Sequence, residues 1–243
     1  MTIDQRISAL RQKMQDARID AYIIPSSDPH QSEYVAERWK ARQWISGFTG
    51  SAGTAVVTHS HAGLWTDSRY FLQADDQLAQ SEFELHKLGV QGAAEHVAWL
   101  KDELQAGDRV GCDPWVISLG EWRRMEKAFS AKGIQLVGVE DLVGAVWSDQ
   151  PELPQEEVFE QPVELAGKSR GEKMGEIREK MEEKGADYHL LSTLDDIAWT
   201  LNLRGSDVQC NPVAIAYAVV GTDGAWIFVD PAKPNDELKA SLA

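Results

Sequence analysis

Trp44-Ile-Ser-Gly-Phe-Thr-Gly50-Ser51 is answered by Trp199-Thr-Leu-Asn-Leu-Arg-Gly205-Ser206, at an offset of 155 residues. Upstream, Leu10-Arg-Gln-Lys-Met14 faces Ile177-Arg-Glu-Lys-Met181, and Asp20-Ala-Tyr22 faces Asp187-Tyr188, at offsets of 167 and 166–167. The first copy therefore carries about a dozen extra residues between Ser27 and Lys40. Internal repetition is a stronger guide to architecture than any single motif, and this one implies two related α/β domains. Aligning Asp230 with Asp67 sets Ala243 opposite about position 80 of a first copy that runs to Trp147. The second copy is thus expected to lack roughly 65 residues, and the chain reads as a fragment of something longer.

The elements around the repeat follow from apolar spacing. Ile3, Ile7, Leu10 and Met14 share a helical face behind a Thr2-x-x-Gln5 capping box. Ala21–Pro25 reads as a buried strand and 31–43 as a helix. Thr54–Thr58 and Leu64–Asp67 form a hairpin about the turn His59–Gly63. Then come Arg69–Leu78 (helix), Phe83–Leu88 (strand), Ala93–Leu104 (helix), Arg109–Asp113 (strand), Leu119–Ala131 (helix) and Ile134–Val137 (strand). This alternation predicts an α/β fold, a mixed central sheet flanked by helices. Asp149–Glu164 holds six acidic residues, three prolines and no Lys or Arg, the composition of an extended, self-repelling linker. The second copy opens on another capping box, Ser169-x-x-Glu172. It continues as a strand at Tyr188–Ser192, a helix at Asp195–Leu201 and a hairpin of Ile215–Val220 with Ala225–Asp230. The expected domains are 1–148, a linker at 149–164, and an incomplete second copy at 165–243.

Bulk properties exclude several classes. A net charge of −15 and a pI near 4.8 oppose nucleic acid and anionic membrane as partners. No run approaches the roughly 18 apolar residues of a membrane helix, and the charged N-terminus has no signal-peptide region. The two cysteines, Cys112 and Cys210, lie far apart, which suits a reduced, cytoplasmic chain.

Local chemistry is sparse. Gly47-Phe-Thr-Gly50-Ser-Ala-Gly53 follows a helix and opens a strand, the reverse of a dinucleotide fingerprint, so it reads as a tight backbone crossing. His59-Ser-His61 flanks a turn with no acidic residue near it in sequence, and is set aside as a metal pair. Asp195-Asp196 suits helix capping better than paired-carboxylate catalysis. No sequence-local catalytic dyad, metal-ligand run or phosphate loop emerges, so no catalytic and no metal-binding residue is assigned. Arg69 sits where a strand yields to a helix, and its guanidinium suits a carboxylate or peptide carbonyl. A surface pair with Asp67 is the equally open alternative. Arg204, in Leu203-Arg-Gly-Ser-Asp207, is either functional or a ligand of carbonyls at the domain junction, and Asp207 falls in the same structural or interdomain class.

Four stretches carry a resemblance. Ala21-Tyr-Ile-Ile-Pro-Ser-Ser-Asp-Pro-His-Gln-Ser-Glu-Tyr34, Ser46-Gly-Phe-Thr-Gly-Ser-Ala-Gly-Thr54, Leu64-Trp-Thr-Asp-Ser-Arg-Tyr-Phe-Leu-Gln73 and Leu194–Asp207 resemble the N-terminal half of three-domain Xaa-Pro aminopeptidases, the aminopeptidase P family. The resemblance implies two creatinase-type N-terminal domains ahead of a metallopeptidase domain that holds two manganese ions. That domain would contain all the metal ligands, so the chain alone is expected to be inactive. It further implies peptides with proline at the second position as substrates, and a homodimer. The matching arginine of the family's Trp-Thr-Asp-x-Arg-Tyr motif is Arg69, which the resemblance casts as a peptide contact. Ser68 departs from the glycine of many relatives. The alternative from another class is a non-catalytic peptidase-like module that binds a basic protein partner. A prolidase or creatinase relative is a third reading, weakened by the tandem copies.

Overall fold

The computed structural model describes residues 1–89 and 94–242. They fall into two compact units, Met1–Gln31 with Arg38–Pro151, and Ser32–Glu37 with Glu152–Ala243.

In unit 1, helix α1 (Ile3–Ala17) opens on the expected box. Gln5 N–H donates to the Thr2 hydroxyl (3.3 Å) and Thr2 N–H to the Gln5 side chain (2.9 Å). The helix closes at Arg18 in the left-handed region, φ 56°. Strand β1 (Ala21–Ile24) follows, then helix α2 (Ala41–Ser46) and the hairpin β2 (Thr54–Thr58) and β3 (Ala62–Thr66). Beyond these lie α3 (Phe71–Leu78), β4 (Phe83–Lys87), α4 (Glu95–Glu103), β5 (Arg109–Cys112), α5 (Leu119–Ser130) and β6 (Gln135–Gly138). Ala93, the expected start of α4, lies outside the described residues.

The helix expected at 31–43 forms only in part. Residues 31–36 are irregular, Glu37–Trp39 make one 3-10 turn, and regular helix starts at Ala41. Gln31 sits at φ 56° with its N–H on the Asp28 carbonyl, and His30 N–H donates to the Asp28 carboxylate. This turn diverts the chain before a helix can nucleate, and the helix-favouring composition is overridden.

The six strands order as β4-β3-β2-β1-β5-β6. Pairs β1/β2 and β2/β3 are antiparallel, whereas β3/β4, β1/β5 and β5/β6 are parallel. The central strand β1 is buried on both faces, and alternation sends its residues into two cores. Tyr22 and Ile24 join Ile7, Leu10 and Met14 of α1 and Leu78 of α3. Ala21 and Ile23 join Trp65, Val97 and Leu100 of α4, and Phe129 of α5.

His96 of α4 is buried beside that second core, its ring 6.3 Å from that of Trp65 and its Nε2 without a hydrogen-bond partner among the described residues. Burial pushes its pKa down to about 4. An unfolded histidine titrates near 6.5, so below that pH the unfolded chain binds a proton that the folded chain refuses. The His96 contribution is therefore complete above about pH 6.5 and lost as pH falls toward about 4. Urea midpoints are expected to drop across this window, and His96→Phe should flatten the drop by up to about 3 kcal/mol. Parallel pH profiles for the two proteins would assign the slope elsewhere.

Unit 2 contains β7 (Phe159–Glu160), α6 (Val163–Ala166), α7 (Arg170–Lys184), β8 (Tyr188–Leu191), α8 (Leu194–Leu201), β9 (Leu203–Arg204), β10 (Ala216–Gly221), β11 (Ala225–Val229) and α9 (Asp236–Leu242). The repeat is visible in the folds. Helices α1 and α7 each span 15 residues and β1 and β8 each four, both at an offset of 167 (Ile3 to Arg170, Ala21 to Tyr188). The order β11-β10-β8, antiparallel throughout, reproduces β3-β2-β1. One core forms, from Met174 and Met181 of α7, Ile197 and Leu201 of α8, and Ala216, Ala218 and Val220 of β10. The opposite face carries Tyr188, Leu190, Trp226 and Phe228, each 51–68% exposed. The acidic stretch 149–164 includes β7, which pairs with β9, and Val158, which is 1% exposed.

Candidate functional site

Strand β3 ends at Thr66, and a tight turn aims Arg69 outward before α3 begins. The Asp67 carbonyl accepts from Tyr70 N–H (3.0 Å), and Asp67 Oδ1 accepts from Arg69 N–H (3.1 Å). The Arg69 side chain closes back on the same carboxylate, Nε to Oδ1 and Nη2 to Oδ2, each at 2.8 Å. The Arg69 bond holds the Asp67 carboxyl below its usual range, and Asp67 raises the guanidinium in return. Arg69 also lies over the Tyr70 ring at 5.2 Å. Its side chain is 55% exposed, whereas that of Asp67 is 11% exposed. A guanidinium has five N–H donors, and this fork uses two. The Asp67–Arg69 pair foreseen as one alternative is thus present, and it fixes the direction in which the exposed guanidinium points.

The glycine stretch 47–53 packs against this turn. Arg42 of α2 is buried and donates to the carbonyls of Phe48 and Gly50 (both 2.5 Å) and to Ser26 Oγ (2.8 Å). Thr66 Oγ1 donates to the Ala52 carbonyl and Ser26 Oγ to the Gly53 carbonyl. The N–H groups of Phe48 and Thr49 are held by Ser46 Oγ and Gln77 Oε1. A Cβ added at Gly50 would come within 2.2 Å of the Phe48 ring and 2.8 Å of Tyr70. The loop is a tight backbone crossing, with the N–H groups of Phe48 and Thr49 and the carbonyls of Phe48, Gly50, Ala52 and Gly53 held by neighbouring side chains. Tyr70 OH meets Ser51 Oγ at 2.7 Å and ties the crossing to the Arg69 turn.

Arg204 and Asp207 have internal roles in unit 2. Arg204 Nη1 donates to the carbonyls of Ala198 (2.9 Å) and Leu203 (2.7 Å). Asp207 is buried, pairs with buried Lys233 at 2.5 Å and accepts from Ile215 N–H at 2.6 Å. Asp195 and Asp196 sit in the first turn of α8 as dipole partners, but the cap itself is Thr193.

Two arrangements escaped the sequence. His61 meets Glu84 and His86 of β4, since parallel pairing of β3 with β4 brings together residues that local spacing separates. At the carboxyl ends of β1, β5 and β6, an open cleft of about 350 Å³ is lined by Arg38, Trp39, Asp113, Trp115, Glu140 and Asp141. Burial, with the charge of Asp141, raises the Asp113 carboxyl above its usual range. Among the described residues no helix is long and apolar enough to cross a membrane.

The family described as the Creatinase/Prolidase N-terminal domain matches twice, over residues 6–146 and over residues 149–243. A probable Xaa-Pro aminopeptidase P of Penicillium rubens is 44% identical over 240 residues, 98% of this chain and 39% of that protein. Its counterpart in Neurospora crassa is 43% identical over 249 residues, covering 100% of this chain and 36% of that one. A solved X-prolyl aminopeptidase of Caenorhabditis elegans, described as a cytosolic enzyme with a di-nuclear active site, superimposes with a TM-score of 0.93 at 35% identity. That match covers 99% of this chain and 41% of the other. The chain thus spans about two fifths of the relatives it matches. Matched over more than half its length by one copy and over most of the rest by a second, the chain belongs to the creatinase/prolidase N-terminal domain family, in the tandem form of aminopeptidase P.

Proposed function

We propose that the chain is the N-terminal portion of an Xaa-Pro aminopeptidase, where residues 1–148 and 165–243 form two domains that wall the entrance to a metallopeptidase site. The observation that carries this reading is the superposition of nearly the whole chain on the C. elegans enzyme at a TM-score of 0.93. Peptides with proline second, a cytoplasmic location and a homodimer belong to the same proposal. The two metal ions, manganese by the family resemblance, would be held outside these residues. The basic-partner reading is not favoured, since the relatives matched are aminopeptidases.

Arg69 is the residue assigned to substrate. Its fork on Asp67 leaves outward N–H donors on a fixed, exposed guanidinium, which suits a peptide carbonyl or terminal carboxylate. In the longer protein, Arg69→Ala is expected to lower kcat/KM on Xaa-Pro tripeptides about ten- to a hundred-fold with metal content unchanged. Unchanged kcat/KM would remove Arg69 from substrate contact. The chain of 243 residues, supplied with manganese, is expected to leave such peptides intact, and clear turnover would overturn its assignment to a non-catalytic portion.

A further inference from the structure

We propose that His61, Glu84 and His86 form a binding site for one divalent transition-metal ion, with zinc as the preferred occupant. The site is a product of strand register. Trp65 of β3 lies opposite His86 of β4, and Gly63 opposite Glu84. Residues two apart on a strand share a face, so Gly63, Trp65, Glu84 and His86 stand together, with His61 at the mouth of β3 extending the row. The ligand atoms of the three residues all lie within 4.8 Å of one another. The two imidazoles meet Nε2 to Nε2 at 3.1 Å. Two imidazoles on a tetrahedral zinc, with Zn–N near 2.0–2.1 Å, place their nitrogens about 3.3 Å apart. The rings therefore already stand within a few tenths of an ångström of a bound geometry.

The surroundings hold them there. His86 is stacked on Trp65, with centroids 4.0 Å apart and planes 13° from parallel. His61 lies against Trp99 at 4.7 Å. Gly63 makes room beneath, since a Cβ there would come within 2.6 Å of the Trp65 ring and 2.9 Å of His61 Nε2. Rings fixed by packing cost little further ordering when a metal arrives. Glu84 is exposed and the histidines are half-buried, so an ion can reach the site from solvent and keep water in an open position. Two imidazoles and one carboxylate suit zinc, copper or nickel, and are poor company for calcium or magnesium. The ion would tie the turn before β3 to the edge strand β4, a local role distinct from hydrolysis.

The test titrates the chelator-treated, full 243-residue chain with zinc alone against a chromophoric chelator at pH 7.5. One equivalent is expected to bind. His61→Gln and His86→Gln should each weaken it at least about tenfold, and Glu84→Gln by a smaller factor. Substitutions at the other surface imidazole and thiol donors, His59→Gln, His189→Gln and Cys210→Ser, should leave affinity unchanged. Nickel should quench tryptophan fluorescence in the wild type, and His86→Gln should abolish the quenching. Near-ultraviolet circular dichroism of each variant, matched to wild type, excludes misfolding as the cause of a loss. Stoichiometric binding that survives the double histidine substitution, binding lost with Cys210 instead, or no zinc uptake at all would each overturn the site.

Discussion

Arg42→Ala is expected to destabilise unit 1 by about 3–5 kcal/mol, read as a shift in the urea midpoint with the slope unchanged. Arg42 is 5% exposed, and its guanidinium closes the glycine crossing with donors to Phe48 O, Gly50 O and Ser26 Oγ. It also lies over the Phe48 ring at 5.0 Å. Burial lowers its pKa to about 10, so the group is still charged at neutral pH. Alanine would strand two buried main-chain carbonyls, each worth about 1–3 kcal/mol when unpaired, whereas Ser26 Oγ would keep its bond to the Gly53 carbonyl. Arg42→Lys should recover only part, because one ammonium cannot reproduce the planar fork. Trp44, stacked on Trp147 at 5.2 Å within the same unit, supplies the fluorescence signal. A loss under about 1 kcal/mol would mean that water replaces the fork at little cost. Because the crossing is tied through Tyr70 to the Arg69 turn, the same substitution should loosen the direction of Arg69.

Asp207→Ala is expected to be as costly in unit 2, again about 3–5 kcal/mol. The side chains of Asp207 and Lys233 are 0% and 2% exposed, and their contact is 2.5 Å. Removing the carboxylate leaves a buried ammonium without its counter-charge and Ile215 N–H without its acceptor. Asp207 Oδ1 has no hydrogen-bond partner among the described residues, so the pair is incompletely compensated from the start. A buried ion pair of this kind is expensive to break and cheap to delete. The double substitution Asp207→Asn with Lys233→Met should therefore regain much of what Asp207→Ala loses. Thermal melts followed by circular dichroism would show it. Additive losses in the double variant would deny the coupling.

Local signals carried much of the fold because they are local in physics. The Thr2 and Ser169 boxes, the apolar stripe of α1 and the strand at Ala21 depend on neighbours within a few residues. The 167-residue echo of α1 and β1 in α7 and β8 was legible for the same reason. Residues 31–43 misled because helix-favouring side chains there meet a left-handed turn at Gln31 that propensity does not register. The strand β7 was hidden among charges, since its pairing with β9 is a long-range event. The histidine cluster is illegible for a related reason: sequence spacing pairs His61 with His59, whereas the partners of His61 arrive from β4 across helix α3. Arg42 gave no signal at all, as a buried arginine on a helix looks in sequence like any solvated one.

The bare face of the second sheet has a colloidal consequence. Tyr188, Leu190, Trp226 and Phe228 stand on the positions that correspond, at offsets of 167 and 163, to Ala21, Ile23, Gly63 and Trp65, the side that α4 and α5 cover in unit 1. Four large apolar side chains on one sheet surface attract their like at short range. A net charge of −15 repels at long range, over a distance that shrinks from about 30 Å in 0.01 M salt to about 8 Å at 0.15 M. Dispersed molecules should thus stay apart in dilute buffer and cluster as salt is added, with light scattering rising where most acidic proteins stay clear. Ionic strength, more than concentration, would govern how long this chain remains in solution.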